Sequence, residues 1–393
     1  MKVLSVNAGS SSLKFQMYEM PEEKVLINGY IQKIGANDSF YYVKINGEKI
    51  TKEASINNHE DAVNILIKEL LENKIVNSLE EIEAVGHRMV HGGDKYPNSC
   101  VITENVIEEC EKLKDLAPLH VPANILCVRA FQKLIPNALE VAVFDTAFHQ
   151  SLKEDKFRYA VPSEWYEKYG VRKYGFHGTS HKYISERVKE YLGKDDYKVI
   201  ICHIGSGASI SAVENGKCID TTMGFTPNSG VVMGTRSGDI DYGIIPYMMK
   251  KTGKSFEEID NILNKESGLL GLSGVSNDWR DIYAEILNGN ENAKLASEVM
   301  FNSIAGYIAK YYVELDGADA ICFTAGLGEN NDYVRKQVCN RIKCLGVEIN
   351  DEINEEITLG KEGLISTDNS KIKVYAIPTD EEVVIARDTY NLK

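Results

Sequence analysis

The residues that could do chemistry here are small and polar, and they interrupt apolar runs. VLSVNAGSSSLKFQMY, Val3 to Tyr18, breaks at Asn7, Gly9 and three serines before Leu13, Phe15 and Met17 resume an alternation. Such a turn ordinarily just reverses the chain, because Gly relieves the steric limit on φ and Ser or Asn bonds back to nearby backbone. The same residue types also build a concavity of backbone N–H groups and hydroxyls that holds an anion such as phosphate. A second copy, VIICHIGSGASISAVENG, begins at Val199 and sets His203 against Asn7 and Gly205 against Gly9 without a gap. The two runs start 196 residues apart in a chain of 393. A repeat at that spacing predicts two similarly built halves, each opening with strand, tight turn and strand. Two such turns facing one cleft would grip the phosphates of a nucleotide from both sides.

Two arginines supply local cations. GHRMVHGG places Arg88 between Val85 and Val90, where a guanidinium flanked by apolar residues needs an anionic partner. MGTRSGDIDYG places Arg236 in a Gly/Ser loop beside Asp239 and Asp241, and a locally salt-bridged loop is the ordinary reading of that stretch. Two arginines together with two phosphate-type turns fit phosphoryl transfer, in which the protein mostly positions groups and neutralises charge on the equatorial oxygens. FTAGLGENN reads as a third Gly-rich loop, between a buried strand and a helix, either a plain connection or a place for a ligand at a helix N-terminus. Glu381 opens the final helix beside Asp380; the helix dipole favours acids there, and in a cleft such an acid can hold magnesium directly or through water. The familiar nucleotide signatures GxxxxGK[ST] and GxGxxG after a strand are missing. HGTSH, 177 to 181, has histidines at i and i+4, but Gly178 stands where a zincin needs Glu, so no zinc site is expected.

Positioning these residues requires alternating strands and helices. KVLINGYIQKI and FYYVKINGEKI read as antiparallel strand, IEAVGHRMVHGG as a strand entering a Gly-rich loop, and LEVAVFDTAFH as a buried strand ending at Asp145. DAVNILIKELLEN, VPANILCVRAFQKLI, HKYISERVKEYLG and KLASEVMFNSIAGYIAKYYVEL carry helical spacing, and ADAICFTAG, KIKVYAIPT and DEEVVIARDTYNL add two strands and a last helix. The pattern is α/β with mixed sheets, and its duplication predicts two lobes, 1–148 plus 382–393 and 149–381. A formal net charge of −14 argues against an extended nucleic-acid footprint, and no apolar stretch approaches membrane-spanning length. Eight cysteines without a CxxC pair, several in apolar runs, read as buried thiols of a cytoplasmic protein.

NAGSSSLKF, GHRMVHGG, FDTAFH, YGFHGTSH, MGFTP, MGTRSGDID, FTAGLGEN and IPTDEE, in this order and spread over nearly the whole chain, closely resemble the acetate kinase family. The resemblance implies two duplicated actin-like (ribonuclease H-like) lobes around a nucleotide cleft, and a homodimer that converts acetate and ATP reversibly to acetyl phosphate and ADP. It implies Mg2+, for which Mn2+ can substitute, held by Asn7 and Glu381. Lys14 and the turn His203, Ile204, Gly205, Ser206 and Gly207 would contact ATP phosphates, with Asp278, Trp279, Arg280, Gly326, Leu327, Gly328, Glu329 and Asn330 lining the nucleotide site. Arg88 would bind the carboxylate or acyl phosphate, Asp145 would be the essential carboxylate, and His177 and Arg236 would stabilise the transferring group. Val90, Leu119, Phe176 and Pro227 match the pocket for the acetate methyl; His120 would lie nearby and His149 would be structural.

The chain departs from the family pattern at Ser206, where Asn is usual, at Asn228-Ser229 after Pro227, where PLEG is usual, and at Tyr242, where Pro is usual. The first two changes bear on the preferred acid and donor more than on the reaction class. A kinase for propionate or another short-chain acid is the nearest alternative, since one methylene is discriminated by only ~1–3 kcal/mol. An actin- or Hsp70-like ATPase explains the duplicated turns but leaves Arg88 and the Phe176 pocket without a task.

Overall fold

The computed structural model describes residues 1–118 and 120–393, so the expectation for Leu119 lies outside the described residues. By its internal contacts the chain divides into Met1–Gln150 with Asp380–Lys393, and Ser151–Thr379. The chain thus changes unit two residues from each expected crossing.

The first unit is built on one sheet: β1 (Lys2–Ala8), β2 (Ser12–Glu19), β3 (Lys24–Gln32), β4 (Phe40–Ile45), β5 (Glu48–Glu53), β6 (Ala84–Met89), β7 (Cys100–Val101) and β8 (Leu139–Phe144). Its order is β5-β4-β3-β2-β1-β6-β8-β7, with β1, β6 and β8 parallel. These three are mostly apolar and buried on both faces because helices cover both, as parallel strands require. Leu4, Val6 and Val85 pack with Cys127 and Phe131 of helix Val121–Leu134 and with Leu66 and Leu70 of helix His59–Glu72. On the other face Val141 and Val143 meet Ile385 of helix Glu381–Asn391. That last helix lies so close on β6 that a Cβ at Gly86 would stand 2.2 Å from Thr389 Oγ1.

The second unit repeats the arrangement. β9 (Lys198–Ile204), β10 (Ala208–Glu214), β11 (Lys217–Thr221), β12 (Ala320–Thr324), β13 (Gly363–Leu364) and β14 (Lys373–Ala376) lie in the order β11-β10-β9-β12-β14-β13. β9, β12 and β14 are parallel, as β1, β6 and β8 are. Helix Glu291–Glu314 turns Ala296, Met300, Phe301, Ile304 and Ile308 into this core at helical spacing, and Asn290 caps its start by accepting from the Asn292 and Ala293 N–H groups.

The repeated hairpins differ at the turn. Ala8 pairs with Leu13, leaving four residues between, whereas Ile204 pairs with Ala208, leaving three. The gapless alignment therefore holds through the first strand of each copy and slips by one residue at the turn. GLGEN also differs from the Gly-rich loop expected: Ala325–Asn330 is a short helix, entered through Ala325 at φ 63°. Asn331 ends it by capping the next helix, its side chain accepting from the Val334 N–H.

Candidate active site

In each unit the chemistry-bearing residues stand at the carboxyl ends of the parallel strands, where open α/β sheets bind ligands. In the first unit Asn7 is the last residue but one of β1, before the serine turn, Arg88 the last but one of β6, and Asp145 follows β8 directly. Asp145 is buried and accepts from Arg88 Nη2 at 2.8 Å, while Arg88 Nη1 donates to Asn7 Oδ1 at 3.2 Å. Arg88 Nε makes no hydrogen bond. Burial by itself would lower the Arg88 pKa, but the carboxylates of Asp145, Glu381 and Glu382 outweigh it and raise it.

Glu381 begins the final helix, with Asp380 as its N-cap accepting from the Val383 N–H at 3.0 Å. Loss of hydration pushes the Glu381 carboxyl up to about 7; Arg88 opposes that rise, and Asp145 and Glu382 reinforce it. Lys14 is turned to the same group of acids, its Nζ 2.8 Å from Glu382. Desolvation pulls the Lys14 pKa down, and the pairing with Glu382 more than offsets it, so the ammonium is held above its usual range.

These residues fit a magnesium ion. Among the described residues no three His, Cys, Asp or Glu side chains surround a common point. Mg2+ does not need three, since it usually takes one or two carboxylates together with substrate phosphates. Asn7, Asp145 and Glu381 offer hard oxygen donors, and Asp145 and Glu382, which reinforce the desolvation-driven rise of the Glu381 carboxyl, are charges that a cation would offset.

The residues that the resemblance assigns to an acyl pocket are described unit by unit. Val90 packs with Ala117 and Val121, and its backbone N–H donates to Asn124 Oδ1 at 3.1 Å. His120 is half-buried at the N-cap of the helix that carries Asn124. Phe176 belongs to the core of the second unit, and Pro227 offers its carbonyl to Arg236 Nη1 at 3.1 Å. His149 is fully buried, edge-on to Phe148.

The second unit holds a phosphate-type site. Gly205 N–H closes the turn on the Gly207 carbonyl at 3.0 Å. A Cβ at Gly207 would stand 3.4 Å from both Arg236 Nη1 and His177 Nε2, so the bare edge of this glycine lies against a guanidinium and an imidazole. Arg236 forms no salt bridge among the described residues, and burial lowers its pKa. The aspartates that its loop offered are engaged elsewhere: Asp239 accepts from Gly230 N–H and the Tyr307 hydroxyl, and Asp241 from Gly243 N–H. The salt-bridged reading of that loop is thereby corrected.

His177 takes the left-handed conformation (φ 59°, ψ 27°) at the N-cap of helix Gly178–Leu192. Its ring stacks on His203 with centroids 4.1 Å apart. Its Nδ1 lies 2.9 Å from Ser209 Oγ, which also lies 2.7 Å from His181 Nε2. Ser180 Oγ lies 2.8 Å from His203 Nδ1 and 2.8 Å from Thr379 Oγ1.

Beside the turn opens a cavity of about 480 Å3, large enough for a nucleoside. Ile204, Gly205 and Ser206 form one wall, Asp278, Trp279 and Arg280 another, and Gly326, Leu327 and Asn330 a third. Asp278 caps the helix Trp279–Leu287 and is held by Arg280, whose hydrogen bonds lower its carboxyl to about 2. Gly328 and Glu329 belong to the same short helix as Gly326 but do not line the cavity; Glu329 instead accepts from the Thr379 N–H at 3.3 Å. The sequence reading missed Ser180, Ser209, His181 as a ring partner, and Asn124, whose amide donates to the Ala8 carbonyl at 2.7 Å. Only the HGTSH spacing pointed towards any of them.

Two sheets that share one order over six strands, each with a phosphate-type turn after its first strand, make this an actin-like α/β protein. A model of the Acetokinase family matches residues 2–387, and the chain belongs to that family. The acetate kinase of Bacillus cytotoxicus is 52% identical over 393 residues, all of this chain and 98% of that protein. Among solved structures, the acetate kinase of Porphyromonas gingivalis is 45% identical with a TM-score of 0.93, covering 100% of this chain and 99% of that one. A propionate kinase from Francisella tularensis subsp. tularensis is 40% identical with a TM-score of 0.94, covering both chains fully.

Proposed function

We infer that the protein transfers a phosphoryl group from ATP to acetate, giving acetyl phosphate and ADP, reversibly and with magnesium. The observation that carries the reading is Arg236: a half-buried guanidinium with no carboxylate against it among the described residues, beside a bare glycine edge and an imidazole. Burying such a charge is costly without an anionic partner, and a transferring phosphoryl group is an anion that fits there.

Adenosine would lie in the cavity walled by Asp278, Trp279 and Arg280, with its phosphates along His203 to Gly207. Arg88 would take the acetate carboxylate as a bidentate or paired anion. Acetate is already ionised at neutral pH, so its attack on phosphorus needs no general base. Asp145, bonded to Arg88 Nη2, then orients the guanidinium and contributes negative charge for the metal rather than moving a proton. Asn7 and Glu381 would hold Mg2+, with Mn2+ able to replace it, and the ion when bound would neutralise charge on the phosphates. His177 and Arg236 would donate to the equatorial oxygens as charge builds on them. Lys14 would reach the phosphates by leaving Glu382.

Propionate is the second reading, supported by the likeness to the propionate kinase. A homodimer is supported by exposed Tyr242, Ile244, Tyr247 and Phe256, an unusual run of apolar surface. A cytoplasmic setting is supported by the thiols Cys127, Cys202 and Cys322, buried and not joined in disulfides. Among the described residues no helix is long and apolar enough to cross a membrane.

A hydroxylamine trap tests the reaction, with acyl hydroxamate as readout and acetate, propionate and butyrate run in parallel. Hydroxamate that requires ATP, magnesium and acid together is the expected result, with acetate preferred. ATP hydrolysis with no hydroxamate from any acid would overturn the reading.

A further inference from the structure

We infer that Ser209 is a positioning residue for this reaction: it sets the tautomer and ring orientation of His177. The inference rests on the reading of His177 as a phosphoryl contact. Two elements meet here and exchange side chains. Helix Gly178–Leu192, with its N-cap, supplies His177, Ser180 and His181, and the β9–β10 hairpin supplies His203 and Ser209. Each element's serine lies on the Nδ1 of the other element's histidine, Ser180 at 2.8 Å from His203 and Ser209 at 2.9 Å from His177. Ser209 is fully buried, pairs directly with His203 in the hairpin register, and lies on the strand that leaves the phosphate turn. The strand that places the turn therefore also aims the imidazole beside it.

Proton counting gives the direction. A serine hydroxyl has one proton to donate, and Ser209 Oγ stands between two ring nitrogens, His177 Nδ1 and His181 Nε2. The stacked rings of His177 and His203 disfavour two positive charges side by side, and the neutral ring is the form whose tautomer has to be set. A neutral His177 can donate from Nε2, the nitrogen at the Gly207 edge, only if its Nδ1 accepts. Ser209 then gives its proton to His177 Nδ1 and accepts from His181 Nε2–H. With its rings neutral, the array His181, Ser209, His177 has one arrangement with a donor facing the phosphoryl site, and Ser209 is its hinge.

The test uses the full-length enzyme. Ring 15N shifts of labelled histidines, without substrates, are expected to show His177 protonated at Nε2 in wild type and a tautomer mixture in Ser209→Ala. Ser209→Ala is expected to lower kcat by about 10- to 100-fold, the scale on which outer partners of a functional histidine act, with KM for ATP and acetate little changed. Ser209→Thr keeps the hydroxyl and restores most of kcat. In a His177→Ala background Ser209→Ala costs nothing further. Unchanged 15N shifts and wild-type kcat in folded Ser209→Ala overturn the proposal, and so does failure of Ser209→Thr to recover activity while folded. Wild-type kcat in His177→Ala would instead overturn the phosphoryl-contact reading, and the 15N shifts would still decide whether Ser209 sets the tautomer.

Discussion

A buried arginine and a half-buried one separate structural from functional use of the same side chain. Arg335 spends its donors on five acceptors: Asn354 Oδ1 and the carbonyls of Gly328, Glu329, Asn354 and Ile357. Its charge is dispersed into backbone dipoles, and it ties the short GLGEN helix to the helix Asp351–Glu356 region. Among the described residues Arg236 donates only to the Pro227 carbonyl and the Met233 sulfur. Arg335 is arranged for stability, whereas Arg236 carries an unmet charge that an anion would satisfy. Arg236→Ala is accordingly expected to lower kcat by roughly 10²–10³-fold, the loss for one transition-state donor. Its Tm should stay about level, because the charge removed is half-buried and faces no carboxylate among the described residues. Stopped-assay kinetics and calorimetry on one preparation check both; a kcat within twofold of wild type would remove Arg236 from the transition state.

At the level of elements, the hairpin of the second unit does more than reverse the chain. Gly207 has an ordinary φ, so alanine is conformationally acceptable there, and its methyl would sit at contact distance from Arg236 and His177 without a clash. Gly207→Ala is expected to fold with a Tm within about 2 °C of wild type, yet lose at least about tenfold in kcat/KM for ATP because the methyl occupies phosphate space. Full activity in that variant would mean that the phosphates do not pass this edge. The duplicated strand–turn–strand was legible in the sequence because apolar runs and Gly/Ser turns leave a pattern in neighbouring residues. The one-residue difference between the turns was not, since register depends on cross-strand pairing. GLGEN misled for a related reason: two glycines suggested a loop, but Ala325 takes the positive φ and the glycines continue helically. Ser209 was illegible because its role comes from residues 28 and 32 positions away, brought to it only by the fold.

Stability of the whole chain against acid joins buried groups of opposite sign. His91 is buried beside Asp145, and loss of hydration lowers its pKa to about 4 although the carboxylate opposes that shift. Its Nδ1 accepts from the Gly93 N–H at 3.0 Å, a bond that requires the neutral ring. In the unfolded chain the ring titrates near ~6.5, so between that pH and about 4 the unfolded state holds a proton that the native state refuses. The stability that neutral His91 contributes is present above ~6.5 and is lost as pH falls to about 4, roughly 3 kcal/mol in all. Glu381 acts oppositely: its carboxyl, pushed up to about 7, keeps a proton in the native state that the unfolded chain has released, which favours folding as pH falls. The net slope of wild type therefore understates His91, and the informative quantity is a difference between variants. His91→Asn retains an acceptor for Gly93 N–H and cannot titrate. Denaturant unfolding in the absence of metal should show wild type losing ~1.4 kcal/mol more per pH unit than His91→Asn between pH ~6 and ~4.5. Parallel pH curves for the two proteins would show that the ring is protonated in the native state, with Asp145 then dominating its environment over burial.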